Sequence, residues 1–222
     1  MTGRAGIDAG RAALDIGRSA LIVVDMQNDF CHDDGALAKR GVDVGPTQEM
    51  APRLVAFVDA ARAAGLPVIY LANMHDSWTD SPAWKQRHGE FGADICRPGS
   101  WGAAFYAVEP RPEERVVPKH RYNAFVGTDL DMILGARGLT TLIFTGVATN
   151  VCVETTARDA FVRDYKVVLI RDCLAGSSVE EHEASLRTLE RYFNGLVLDS
   201  RQAAAALAKD GDKKGRGASA AR

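Results

Sequence analysis

Short apolar runs alternate with longer amphipathic stretches along the chain, and that alternation marks out its elements. Runs rich in β-branched and large apolar residues recur at Leu21-Ile22-Val23-Val24, Pro67–Ala72, Glu114–Pro118, Leu142-Ile143-Phe144-Thr145, Tyr165–Ile170 and Gly195–Leu198. They are too short for helices and apolar on both faces, which reads as strands buried in a parallel sheet. Between them the spacing changes to three and four. Met50, Leu54, Val55, Phe57, Val58 and Ala61 form a stripe in a helix from Pro46 to Gly65, where the glycine stops it. Thr128 is placed to cap a second helix, TDLDMILGARG, with Asp129 and Asp131 in its first turn and Gly138 at its end. A third starts at Cys152, with Val153, Thr156, Ala157, Ala160 and Phe161 on one side. Ser178 caps a fourth, Val179 to Phe193, whose Glu180 and Glu181 sit at its positive end. A closing helix covers 200–208.

Strand and helix repeated along one chain imply a parallel sheet with helices on both faces. The expected fold class is α/β: a three-layer α/β/α, doubly wound, mainly parallel six-stranded sheet of Rossmann-like form. Residues 19–208 carry it. Residues 1–18 read as an N-terminal arm, and 209–222, poor in apolar residues, as a disordered tail. Residues 73–114 show no clear period, and a stretch that long reads as a lid or binding excursion. Its tryptophans, Trp78, Trp84 and Trp101, are expected mainly to fill core.

Composition narrows the function. A net charge of -2 with 25% charged residues leaves no basic footprint for nucleic acid. No run is long enough to span a bilayer and the N-terminus has no signal-peptide core, so a cytoplasmic protein with a small-molecule partner is expected. Neither GxGxxG nor GxxxxGK[ST] follows a strand, so no nucleotide cofactor is expected. The four cysteines have no CxxC spacing and read as reduced thiols. Cys31, Cys96 and Cys173 are taken as inert buried groups.

Cys152 differs, because it lies where a strand has ended and a helix starts. Free backbone N–H groups and the helix dipole at such a place can lower a thiol pKa and hold a developing oxyanion. Asp25 and Lys119 also follow strands directly. Taken singly, Lys119 reads as a surface charge, and Asp25 reads either as a group at the ligand-binding edge or as a solvated residue closing a strand. In a parallel sheet, however, all three ends meet at the carboxyl edge, where ligands bind. The trio is chemically coherent. Asp25 can act as general base, Lys119 supplies positive charge, and Cys152 attacks a carbonyl.

Three stretches, ALIVVDMQNDF, VVPKHRYNAF and GVATNVCVETTARDA, resemble the isochorismatase-like cysteine hydrolases. That superfamily includes nicotinamidases and the ureidoacrylate, biuret and N-carbamoyl amidohydrolases. The resemblance spans most of residues 19–199 and implies the isochorismatase-like hydrolase fold, a triad on Asp25, Lys119 and Cys152, and assembly as dimers or tetramers. It further implies a cis peptide between Val147 and Ala148 that turns the Ala148 and Cys152 amides toward the oxyanion. Isochorismatases proper lack the nucleophilic cysteine, so Cys152 implies cleavage of an amide-type C–N bond through a thioester. PKHRYNAF together with GVATNVCVE looks most like the ureidoacrylate, biuret and carbamoyl-type members. Arg121 and Tyr122 become candidates to hold a polar end of the substrate, and Gln27, Asn28, Phe30 and Asn150 further pocket candidates. Nicotinamidases carry a metal-binding Asp-x-His with a second histidine. Here the segment reads Asn73-Met74-His75 and His88 is out of place, so no metal is expected. A nicotinamidase-like amidase with bound zinc and a catalytically silent binding member are the alternatives.

Overall fold

The computed structural model describes residues 15–88 and 95–208. The expected arm up to residue 14 and the expected tail from residue 209 lie outside them. All six expected strands form: β1 Ser19–Val24, β2 Val68–Asn73, β3 Arg115–Lys119, β4 Thr141–Val147, β5 Lys166–Ala175 and β6 Leu196–Leu198. Their order across the sheet is β3-β2-β1-β4-β5-β6, and every neighbouring pair is parallel. The helices are α1 Asn28–Cys31, α2 Gly45–Ala63, α3 Pro82–His88, α4 Leu130–Ala136, α5 Glu154–Val162, α6 Val179–Tyr192 and α7 over 200–208.

Alternate strand residues point to opposite faces, and each face has its own helices. Leu21, Val23, Tyr70 and Ile143 pack with Met50, Leu54, Phe57 and Val58 of α2 and with Ala203 and Leu207 of α7. Ala20, Ile22, Val24, Leu71 and Phe144 pack with Leu130 and Leu134 of α4, Ala157 and Ala160 of α5, and Leu186 and Leu189 of α6. Each large side chain buried this way contributes about 2 kcal/mol. The result is the three-layer, doubly wound sheet. The chain runs outward from β1 through β2 to β3, then returns across the sheet to β4. The switch point therefore lies between β1 and β4, and in such sheets the crevice there binds ligands.

Several details depart from expectation, each for a local reason. α3 was not foreseen, because PAWKQRH carries no apolar stripe. The N-cap of α4 is Asp129, whose side chain makes no capping bond; the Thr128 hydroxyl accepts from the Leu130 N–H instead. The helix expected at Cys152 begins at Glu154, and Thr149–Val153 forms a π-helical turn ahead of it. Ser178 caps α6 as expected, accepting from the Glu181 N–H. Trp78 and Trp101 are exposed and fill no core. The arm's last residues are anchored: Ile16 is buried in the α2 face and the Ser19 hydroxyl donates to the Asp15 carbonyl.

Gly146 shows why β1 and β4 approach so closely. Its φ is +98°, and a Cβ there would lie 2.1 Å from the Val24 carbonyl oxygen. Only glycine tolerates both conditions.

Candidate active site

Each strand end delivers one group to the crevice. Asp25 follows β1 directly with φ 49°, a conformation that aspartate accepts more readily than most residues. Lys119 is the last residue of β3, in register with Asn73 of β2. Cys152 lies in the π-helical turn after β4. These three come together away from solvent, at 1%, 0% and 6% exposure respectively. Lys119 Nζ stands 2.8 Å from Asp25 Oδ2 and 3.4 Å from Cys152 Sγ, and it also donates to the Arg121 carbonyl at 3.1 Å. The lysine that would read singly as a surface charge is wholly buried, because its charge is matched by Asp25.

The electrostatics set the resting protonation. Burial pushes the Cys152 thiol up; Lys119 pulls it back, and Asp25 pushes it up again, leaving it above the usual thiol range. Burial by itself would lower the Lys119 ammonium, but the charge of Asp25 and the contacts with Asp25 and Cys152 outweigh that and hold it above the usual lysine value. The trio at rest is an ammonium–carboxylate pair beside a neutral thiol. Asp25 Oδ1 makes no hydrogen bond to a described residue.

A cavity of about 260 Å³ opens onto Asp25 and Cys152. Asp25, Val147, Ala148 and Cys152 line it beside the ion pair; Phe30, Leu37, Val44, Ile95, Tyr122 and Val151 supply apolar walls. The Val147–Ala148 peptide is cis. The Ala148 carbonyl accepts from the N–H groups of Val151 and Val153 at 3.0 and 3.2 Å, closing the turn. Thr149 beneath it is fully buried, with its hydroxyl 2.8 Å from His182 Nδ1.

Phe30 and Tyr122, expected at the substrate, line the cavity. Gln27, Asn28, Arg121 and Asn150, also expected there, do not. Gln27 is a brace: its amide donates to the carbonyls of Asn73 and Ala103 and accepts from the Asn73 N–H. Asn28 donates to the Trp101 carbonyl. Arg121 turns away, donating to the carbonyls of His120 and Thr79 while its guanidinium lies 5.0 Å from the Trp84 ring. Asn150 is tied to Ser177 and Glu181. Lining residues that went unassigned include Asn73, Trp84, Arg40, Thr47 and Ser177. Asn73 carried a usable signal, since it ends a strand on the same edge as Asp25 and Lys119. Trp84 carried only the general signal of an aromatic in the aperiodic 73–114 stretch, because PAWKQRH gives no apolar stripe to mark α3.

His75 is 4% exposed, lines the cavity and stacks on Trp84 at 5.3 Å. Its Nδ1 is 2.9 Å from Asp80 Oδ1, and Arg97 Nη1 is 3.1 Å from Asp80 Oδ2. This arrangement does not fit a metal. The carboxylate paired with His75 is occupied by an imidazole and a guanidinium, Asn73 stands where a carboxylate would be needed, and among the described residues no group of three ligating side chains converges. The side chain of His88 lies outside the described residues.

A thiol, carboxylate and ammonium buried together at the switch point of a doubly wound parallel sheet define a cysteine hydrolase architecture. The isochorismatase domain family matches residues 19–202, and the chain belongs to that family. It is 40% identical over 195 residues to a ureidoacrylate amidohydrolase RutB from Methylobacterium radiotolerans, an alignment covering 81% of this chain and 75% of that one. A cysteine hydrolase from Pseudomonas syringae pv. phaseolicola superposes with a TM-score of 0.83 at 30% identity, covering 90% and 97% of the two chains. A pyrazinamidase of Pyrococcus horikoshii in complex with zinc superposes with a TM-score of 0.71 at 28% identity, covering 82% and 99%. Within its family the chain is an amidohydrolase, a hydrolase of non-peptide C–N bonds. No helix among the described residues is long and apolar enough to cross a membrane.

Proposed function

We propose that this protein hydrolyses a C–N bond of a small ureido or carbamoyl compound through an acyl–sulfur intermediate on Cys152, with Asp25 as general base and acid. The observation that carries it is the buried ammonium of Lys119, within reach of both the Asp25 carboxylate and the Cys152 thiol at the cavity floor. The thiol proton passes to Asp25 as sulfur attacks the carbonyl carbon. The oxyanion that forms is held by the backbone amides of Ala148 and Cys152, and Lys119 keeps the surroundings positive. Collapse breaks the C–N bond, and Asp25 returns the proton to the departing nitrogen. Water enters, loses a proton to the same carboxylate and cleaves the carbon–sulfur bond, restoring the thiol.

The substrate class is supported by the activity named for the ureidoacrylate amidohydrolase relatives. A cavity of about 260 Å³ also suits a compound of that size. Assembly of copies and a reducing cytosolic setting belong to the same proposal. Exposed Phe161, Val162 and Tyr192 on α5 and α6 offer an apolar face, and all four thiols are unpaired. A monomer in light scattering would count against the first of these.

The test is ammonia or amine release from a panel of ureides, carbamoyl amino acids and simple amides. Cys152→Ala should lower turnover by at least about 10³-fold while the circular dichroism spectrum and melting curve stay those of the parent. Acid-quenched reactions of the parent should carry an acyl mass on the Cys152 peptide. Turnover that survives Cys152→Ala would sink the mechanism.

A further inference from the structure

Two polar groups in the cavity are left without a task by this chemistry. Asn73 and His75 lie two residues apart at the end of β2, both 4% exposed and both lining the cavity. Asn73 Oδ1 has no hydrogen-bond partner among the described residues. His75 uses Nδ1 on Asp80 and makes no hydrogen bond through Nε2 to a described residue. Buried polar groups are almost always satisfied, so the orphaned Asn73 oxygen, in one cavity with an imidazole that has a ring nitrogen to spare, calls for a ligand.

The polarity of His75 follows from its neighbours. Asp80 pairs with Arg97, and a carboxylate held that way can only accept. The shared proton therefore sits on His75 Nδ1, and in the neutral ring Nε2 carries the lone pair. Burial is the largest influence on this imidazole; the Asp80 charge opposes it, and the net effect holds His75 below its ordinary value. The ring is thus neutral at physiological pH, and it offers an acceptor.

Building on the hydrolase reading above, we propose that His75 is a specificity residue whose Nε2 accepts an N–H of the substrate's ureido group. Asn73 completes the contact, and the pocket discriminates against ureides whose nitrogens are fully alkylated. The His75–Asp80–Arg97 chain is then a positioning device that sets the direction of one hydrogen bond. A site built to pair an N–H discriminates strongly against a ligand lacking it, because its own acceptor stays unsatisfied.

Two measurements test this. The first is ¹⁵N NMR of the imidazole in the whole protein, which should show His75 protonated on Nδ1; a proton on Nε2 overturns the proposal whatever the substrate. The second is kcat/KM for N-carbamoylglycine against analogues fully methylated at either nitrogen. His75→Leu should reduce the parent's preference for the N–H substrate about tenfold, mostly through KM. His75→Gln, whose amide oxygen can still accept, should keep most of it. In Asp80→Asn the amide oxygen faces Arg97 and the NH₂ faces His75, so the imidazole proton moves to Nε2 and the preference falls without loss of the ring. If Asp80→Asn does not fold, the His75 pair and the parent's spectrum still decide. An unchanged preference in His75→Leu overturns this proposal alone, whereas turnover surviving Cys152→Ala overturns the hydrolase reading beneath it.

Discussion

Replacing Lys119 by methionine removes a charge and keeps most of the side chain's volume. The consequence falls on Asp25. In the parent the two charges stand 2.8 Å apart with side-chain exposures of 0% and 2%. At an effective dielectric of about 20, their attraction is about 6 kcal/mol. Stranding one partner of such a buried pair typically costs about 3–5 kcal/mol, since the carboxylate can escape part of the penalty by taking up a proton. A domain of this size has a total stability of about 5–15 kcal/mol, so Lys119→Met should be marginal near neutral pH. The dependence on pH has a definite sign. In the parent the ammonium is held above its ordinary 10.5, so its contribution is complete below that pH and fades only as pH rises through the elevated value. The variant lacks that contribution at both pH 7.5 and pH 9, so the deficit against the parent should be present at each. Urea unfolding at both pH values measures this. Asp25→Asn should restore most of the stability when added to Lys119→Met, asparagine being chosen because position 25 has φ 49°. A single-variant loss below about 1 kcal/mol, or a double variant no more stable than the single, would refute a buried charged pair.

Gly146→Ala should prevent normal folding or cost roughly 3 kcal/mol or more, since its Cβ would meet the Val24 carbonyl in the neighbouring strand at 2.1 Å; a soluble variant with the parent's melting curve would contradict the described β1–β4 approach. Thr149→Val should remove the buried hydroxyl contact to His182 and lower stability by about 1–3 kcal/mol, a shift of roughly 2–12 °C in Tm. Calorimetry reads it directly, and an unmoved Tm would mean that the contact contributes nothing to the turn.

The strands were legible because a parallel sheet buries both faces, and Leu21–Val24 or Leu142–Thr145 can satisfy that only with unbroken apolar runs. Asp25, Lys119 and Cys152 could be found because the topology carries every strand end to one edge. What stayed hidden depends on contacts between distant segments. Gln27 and Asn28 sit in the same stretch as Asp25, yet their amides are used to tie down the 101–103 backbone. Nothing local tells a brace from a ligand. Arg121 is three residues from Ala124 in a stretch that suggested substrate contact, but Trp84 on an unforeseen helix takes its guanidinium. The π-helical turn around Cys152 was read as the first turn of a helix, because one extra residue per turn leaves the apolar pattern from Val153 onward unchanged.

Lys119 belongs to β3, an outer strand that is hydrogen-bonded to the rest of the sheet on one side only, along its pairing with β2. Strands in that position are among the first parts of a sheet to peel away in local opening. Here peeling would have to drag a dehydrated ammonium out from between a carboxylate and a thiol. The atoms proposed above for the chemistry would therefore also latch the sheet's margin. Amides along Arg115–Lys119 should then draw protection against hydrogen exchange from the buried trio, and a covalent adduct on Cys152 that displaced the ammonium would register as faster exchange at the border of the sheet.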